Sequence, residues 1–132
     1  MSLAVGTAAA PRTFGPLDLA ALVRYAGASA DFQPLHFDAA FARSAGFPGP
    51  IVHGMLSAGL IGTYLGDWVG VASVRRIRVR FHQPVPMGAT VVVTGSVVAE
   101  SQGQAEIELT LTADGGRAVS ASATVALELL RR

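Results

Sequence analysis

Two hydrophobic periods divide this chain near Gly70. Before it, apolar residues recur at helical spacing; after it, they alternate with polar ones. The first helical stretch opens at Pro16-Leu17-Asp18, where Asp18 can cap it. Leu19, Leu22 and Val23 carry its apolar face up to Tyr25, and Gly27 ends it. Residues 28–36 read as a loop in which Pro34 keeps the preceding backbone extended. A short helix follows from Asp38 to Ala45, closed by Gly46, and Phe47-Pro48-Gly49-Pro50 is a firm break. Ile51 to about Trp68 is the most distinctive helix. It is apolar nearly all round, so burial nearly all round is expected. It also carries Gly54, Gly59 and Gly62. Each glycine weakens a helix interior by about 1 kcal/mol, so close approach of other backbones is the expected compensation.

Beyond Gly70 the alternating segments are Val74–Phe81, Thr90–Val98, Gln104–Ala113 and Ala118–Leu130. Turns at Val85-Pro86-Met87-Gly88, Ser101-Gln102-Gly103 and Asp114-Gly115-Gly116 separate them. Four successive strands with short turns imply an antiparallel sheet. A buried helix followed by the sheet that covers it gives an α+β fold, with a curved sheet around a central helix. The first fourteen residues read as a frayed end or a first strand, since no basic segment precedes their apolar run.

Composition narrows the function. With 132 residues, one domain over 1–132 is expected. Apolar residues make up 51% and charged residues 14%, which supplies a core and implies that some surface is buried against another subunit. A net charge of +1 gives no argument for nucleic acid. The longest apolar stretch, Ile51–Leu65, is shorter than the roughly 20 residues of a membrane span. There is no cysteine, which excludes a thiolate metal site and a cysteine nucleophile, and suits a cytoplasmic protein. Every basic residue is Arg, so Schiff-base lysine chemistry is excluded. Three histidines without metal-ligand spacing argue against a metal site.

Three features can carry chemistry. Asp31 and His36 stand five residues apart around Pro34, and a carboxylate with a neutral imidazole can hold a water and take its proton. The alternative is a turn-capping Asp31 beside an ordinary half-buried His36. Second, His53-Gly54-Met55 follows the Pro-Gly-Pro break at a helix start. Unpaired N–H groups and the positive dipole end are available there, and Gly54 N–H can receive an oxyanion. A packing role for Gly54 stays open, and His53 is either a cap or turn contact, a substrate contact or a third catalytic residue. Third, Arg76, Arg78 and Arg80 share one strand face. They are either a solvated outer face or a partner for the phosphates of coenzyme A or a pantetheine arm.

These features together resemble the MaoC-like dehydratase family of hot-dog-fold proteins. The stretch from Tyr25 through Asp31-Phe32-Gln33-Pro34-Leu35-His36 to Ile51-Val52-His53-Gly54-Met55 carries the resemblance. It implies a hot-dog domain with a sheet of about five strands around the Ile51–Trp68 helix. It also implies hydration of trans-2-enoyl thioesters, or the reverse dehydration of (3R)-3-hydroxyacyl thioesters. Asp31 and His36 would then activate water, and Gly54 N–H would hold the thioester oxyanion. No cofactor is implied beyond the coenzyme A or carrier-protein pantetheine of the substrate itself. A homodimer is the first expectation for the assembly and a heterodimer with a related subunit the second. Gln33 stands where the family usually has Asn, so its contact to substrate would be shifted. Ala30 stands where Gly is common.

Overall fold

The computed structural model describes residues 1–131. β1 (Ala8–Phe14) leads to helix α1 (Leu19–Ser29), the short helix α2 (Ala39–Ser44) and the long helix α3 (Gly54–Val69). Strands β2 (Val74–Phe81), β3 (Val91–Ser101), β4 (Gln104–Ala113) and β5 (Gly116–Ala126) follow, and a 3-10 turn at Leu127–Leu129 replaces the end of the last expected strand. The five strands form one antiparallel sheet in the order β1-β3-β4-β5-β2, with α3 against its inner face. This is the α+β hot-dog arrangement expected from the sequence, and the amino-terminal segment is its first strand. Among the described residues no helix is long and apolar enough to cross a membrane.

Local chemistry accounts for the elements. Asp18 caps α1 by accepting Ala21 N–H, and Asp38 caps α2 by accepting Ala40 and Phe41 N–H. Gln102 and Gly103, and Asp114 and Gly115, all have positive φ, as two-residue turns between twisted antiparallel strands require. The buried faces alternate as a half-covered sheet must. Val91, Val93 and Val97 of β3, Ile107, Leu109 and Leu111 of β4, and Val119, Ala121, Ala123 and Val125 of β5 point inward. They meet Ile61, Leu65 and Val69 of α3. Leu65 is fully buried, and its truncation to Ala costs about 2–5 kcal/mol at such a site. Gly95 lets α3 sit close: a side chain there would meet the Tyr64 and Trp68 rings at 3.1 and 3.3 Å.

Three expectations need correction. α1 runs past Gly27 to Ser29 and ends at Ala30, which takes the left-handed conformation (φ 57°) that Gly adopts at less cost. α3 begins at Gly54, because Ile51 and Val52 pair instead with the 85–86 segment. Nor is α3 buried all round. The sheet covers one side, and Met55, Gly59, Thr63 and Asp67, four residues apart, form an open stripe on the other. A side chain at Gly59 or Gly62 would meet nothing within 4 Å, so nothing within this chain requires those glycines.

Candidate active site

The loop after α1 is built from short-range hydrogen bonds. Ser29 Oγ donates to Tyr25 O and receives Asp31 N–H; Asp31 Oδ1 receives Gln33 N–H at 3.3 Å. Pro34–His36 then forms a single 3-10 turn. This turn is tied to the strand-like entry of α3 by Ile51 N–H to Leu35 O (3.2 Å) and by His36 Nδ1–H to Ile51 O (2.7 Å). The second bond fixes the tautomer. With Nδ1 protonated, Nε2 presents a lone pair. That nitrogen lies 3.8 Å from Asp31 Oδ2. Asp31 therefore serves the turn with one oxygen and faces the imidazole with the other.

The 3.8 Å gap is too long for a direct hydrogen bond. It suits one oxygen atom lying within about 2.8 Å of both groups. His36 is 11% exposed and Asp31 48%, so a water reaches the carboxylate without opening the fold. His36 also lines a cavity of about 300 Å³ with Gly54, Ser57, Phe81, His82 and Val119 among its walls. Gly54 is the first residue of α3, and its N–H has no backbone acceptor among the described residues. A side chain there would meet the Phe81 ring at 3.1 Å, so that exposed ring would have to give by a few tenths of an ångström. His36 and Gly54 thus share one cavity, and Asp31 stands beside it against His36. A larger cavity of about 610 Å³ shares the walls Ile51, Gln83 and Pro84, but Asp114 is its sole ionisable lining residue and it contains no acid/base pair.

The other singled-out residues lie elsewhere. His53 is 1% exposed and stands behind His36 rather than on the cavity wall. Its ring stacks on His36 at 3.9 Å between centroids, 19° from parallel. Burial, then the neighbouring His36 charge, lowers its pKa. Gln33 is exposed and outside the cavity wall. Arg78 and Arg80 line a polar cleft on the outer sheet face with Arg117, Glu108 and Ser120, while Arg76 lies outside it. Neither Arg78 nor Arg80 has an ion-pair partner among the described residues. The sequence drew no role for His82 and Gln83, yet both line the cavity. Their signal was position only, at the end of β2. His82 Nε2 lies 2.7 Å from Ser120 Oγ, which also lines the arginine cleft.

By distance alone Asp31, His36 and His53 would also suit a metal ion, with ligand atoms within 4.8 Å of one another. The ring geometry argues otherwise. Nearly parallel stacked imidazoles project their lone pairs side by side, whereas a metal needs them to converge in both ring planes at about 2.0–2.1 Å.

Comparison with known proteins identifies the family. The model of the MaoC-like domain family matches residues 4–115. The (R)-specific enoyl-CoA hydratase of Aeromonas caviae is 38% identical over 96% of each chain. The solved structure of the A. caviae (R)-hydratase superposes with a TM-score of 0.84 and 33% identity, covering 96% of this chain and 98% of that one. The ChsH1–ChsH2 complex of Mycobacterium tuberculosis superposes with a TM-score of 0.86 and 26% identity over the same shares. The chain, with its helix wrapped by five strands and its Asp31–His36 corner, belongs to the MaoC-like domain family.

Proposed function

We propose that this protein is a hydro-lyase that interconverts trans-2-enoyl and (3R)-3-hydroxyacyl thioesters. The observation that carries the reading is the pairing of Asp31 Oδ2 with the free Nε2 of His36, whose cavity is also lined by Gly54, its N–H unpaired among the described residues. In hydration, a water held between Asp31 and His36 forms its oxygen bond to C3. One water proton passes to His36 Nε2, and the other stays hydrogen-bonded to Asp31. The C2=C3 electron pair moves toward the thioester carbonyl, whose oxygen becomes an enolate. Gly54 N–H, at the positive end of α3, stabilises that charge. His36 then returns its proton to C2 on the same face. Water and the thioester balance the reaction, so no electron carrier enters it.

Coenzyme A or a carrier-protein pantetheine belongs to the substrate. The Arg78, Arg80 and Arg117 cleft, joined to the site through His82 and Ser120, suits its phosphates. The outer edge of β2 has no partner strand among the described residues, and Ile77, Phe81 and Met55 are exposed beside it. Pairing with a second copy would cover them. A related subunit in that place is the second reading. The open α3 stripe and the likeness to a two-component complex favour it.

The test is hydration of crotonyl-CoA, followed as loss of enoyl-thioester absorbance, with the product's configuration determined and the oligomeric state measured on the same sample. The expected outcome is a (3R) product. A (3S) product, or inactivity toward short and long enoyl thioesters by a sample that is already oligomeric, would contradict the reading.

A further inference from the structure

We infer that His53 is a positioning residue: its buried ring backs the ring of His36 and grips the backbone of Asp31, so that the two side chains are held facing each other across the water position. The inference rests on the proposed hydratase chemistry for its kinetic consequence, but its structural content stands independently.

The hydrogen bonds define what His53 is doing. Its Nε2 lies 3.3 Å from the Asp31 carbonyl oxygen, which can only accept, so Nε2 carries the proton. The other ring nitrogen, Nδ1, is buried and has no partner among the described residues. An unpaired buried nitrogen is costly, and a leucine or phenylalanine would fill the space without it. What the imidazole supplies here is a pair of properties. It offers a flat face for His36 at 3.9 Å and an N–H for Asp31 in the same plane. Tyr25 meets the same imidazole edge-on, 4.8 Å between centroids.

The consequence for the chemistry follows from that stack. His36 is fixed at one nitrogen by Ile51 O and on one face by His53, so its free nitrogen keeps its aim at the water position. Asp31 follows the exposed end of α1, and the His53 bond ties it to the start of α3. During water addition His36 gains a proton. A neutral aromatic face beside it tolerates that cation, whereas a second imidazolium at 3.9 Å would oppose it. The titratable groups facing His53 are His36, Asp31 and Tyr25, and burial, then the His36 charge, lowers the pKa of His53.

Two measurements test this on the full chain. Side-chain ¹⁵N NMR of the three histidines from pH 5 to 8 should show His53 as a neutral Nε2–H tautomer that resists protonation, and His36 as the Nδ1–H tautomer. A His53 that titrates like a free histidine, or carries its proton on Nδ1, overturns the proposal whether or not any substrate has been found. The second measurement compares His53→Phe, which keeps the ring, with His53→Gln, which keeps a donor. Both should lower kcat for crotonyl-CoA about tenfold or more, with KM within about twofold and a shifted acid limb of the pH–kcat profile. Folded variants with wild-type kcat and pH profile would overturn it. Hydratase activity absent from the wild type would instead sink the proposed reaction and leave the NMR result to decide the positioning role.

Discussion

Two clusters of charged side chains were singled out by residue type alone, and the fold treats them very differently. Asp31 and His36 are pinned. Hydrogen bonds hold them and the turn between: Asp31 N–H to Ser29 Oγ, Gln33 N–H to Asp31 Oδ1, Ile51 N–H to Leu35 O, His36 Nδ1–H to Ile51 O and His53 Nε2–H to Asp31 O among them. Arg76, Arg78 and Arg80 are merely aligned. Strand alternation guarantees that they share a side of β2, and nothing pairs with Arg78 or Arg80 among the described residues. Alignment suits recognition of a mobile, highly charged group. Proton transfer needs the tighter arrangement, because a base misplaced by an ångström loses most of its advantage.

The comparison can be broken most directly at His36. His36→Ala should lower kcat for crotonyl-CoA by about a hundredfold or more, the low end for a lost general base, and steady-state assays decide it. Gly54 gives the next effect. Gly54→Ala and Gly54→Pro both push a Cβ toward the Phe81 ring, but only the proline lacks the N–H. Gly54 is the first helical residue, where proline is well accepted, and His53 before it already has an extended ψ of 130°. The proline variant should therefore be about a hundredfold slower than the alanine variant, measured as kcat/KM at equal folded fraction. Equal rates would leave Gly54 with packing alone.

How far the sequence carried is visible at the same residues. Helical and alternating periods located α3 and strands β2 to β5, because burial on one face imposes those periods locally. The Asp31–His36 spacing and the glycine at the α3 start were legible for the same reason: each sits within one short segment. What escaped depends on pairing between distant segments. β2 lies beside β5 rather than beside β3, and this order brings Phe81, His82 and Gln83 to the mouth of α3. No local pattern encodes that. His53 was read as a substrate or turn contact, since burial behind His36 requires the loop at 31–36 to fold over it. The open stripe on α3 was read as buried because an apolar helix does not say which molecule covers it.

Smaller effects sharpen the contrast. Arg78→Ala with Arg80→Ala should raise KM for an acyl-CoA several-fold and flatten its salt dependence, since exposed charges act through screened attraction. Titration curves of KM against salt test this. The smallest effect concerns stability. The folded pKa of His53 is lowered, so below the ordinary value of 6.5 the unfolded chain binds a proton that the folded chain refuses. Stability should then fall as pH drops through 6.5 and continue falling toward the lowered folded value. Denaturant titrations should show a shallower acid slope in His53→Gln than in the wild type.

The most direct test of the central claim is a single-turnover hydration of crotonyl-CoA at saturating enzyme, run side by side on Asp31→Asn and on the Arg78→Ala/Arg80→Ala double variant. The pinned corner should prove to hold the chemistry: Asp31→Asn loses about a hundredfold or more in the rate constant, and the arginine variant retains the wild-type value. A wild-type rate in Asp31→Asn, or an equal loss in both variants, would contradict the account.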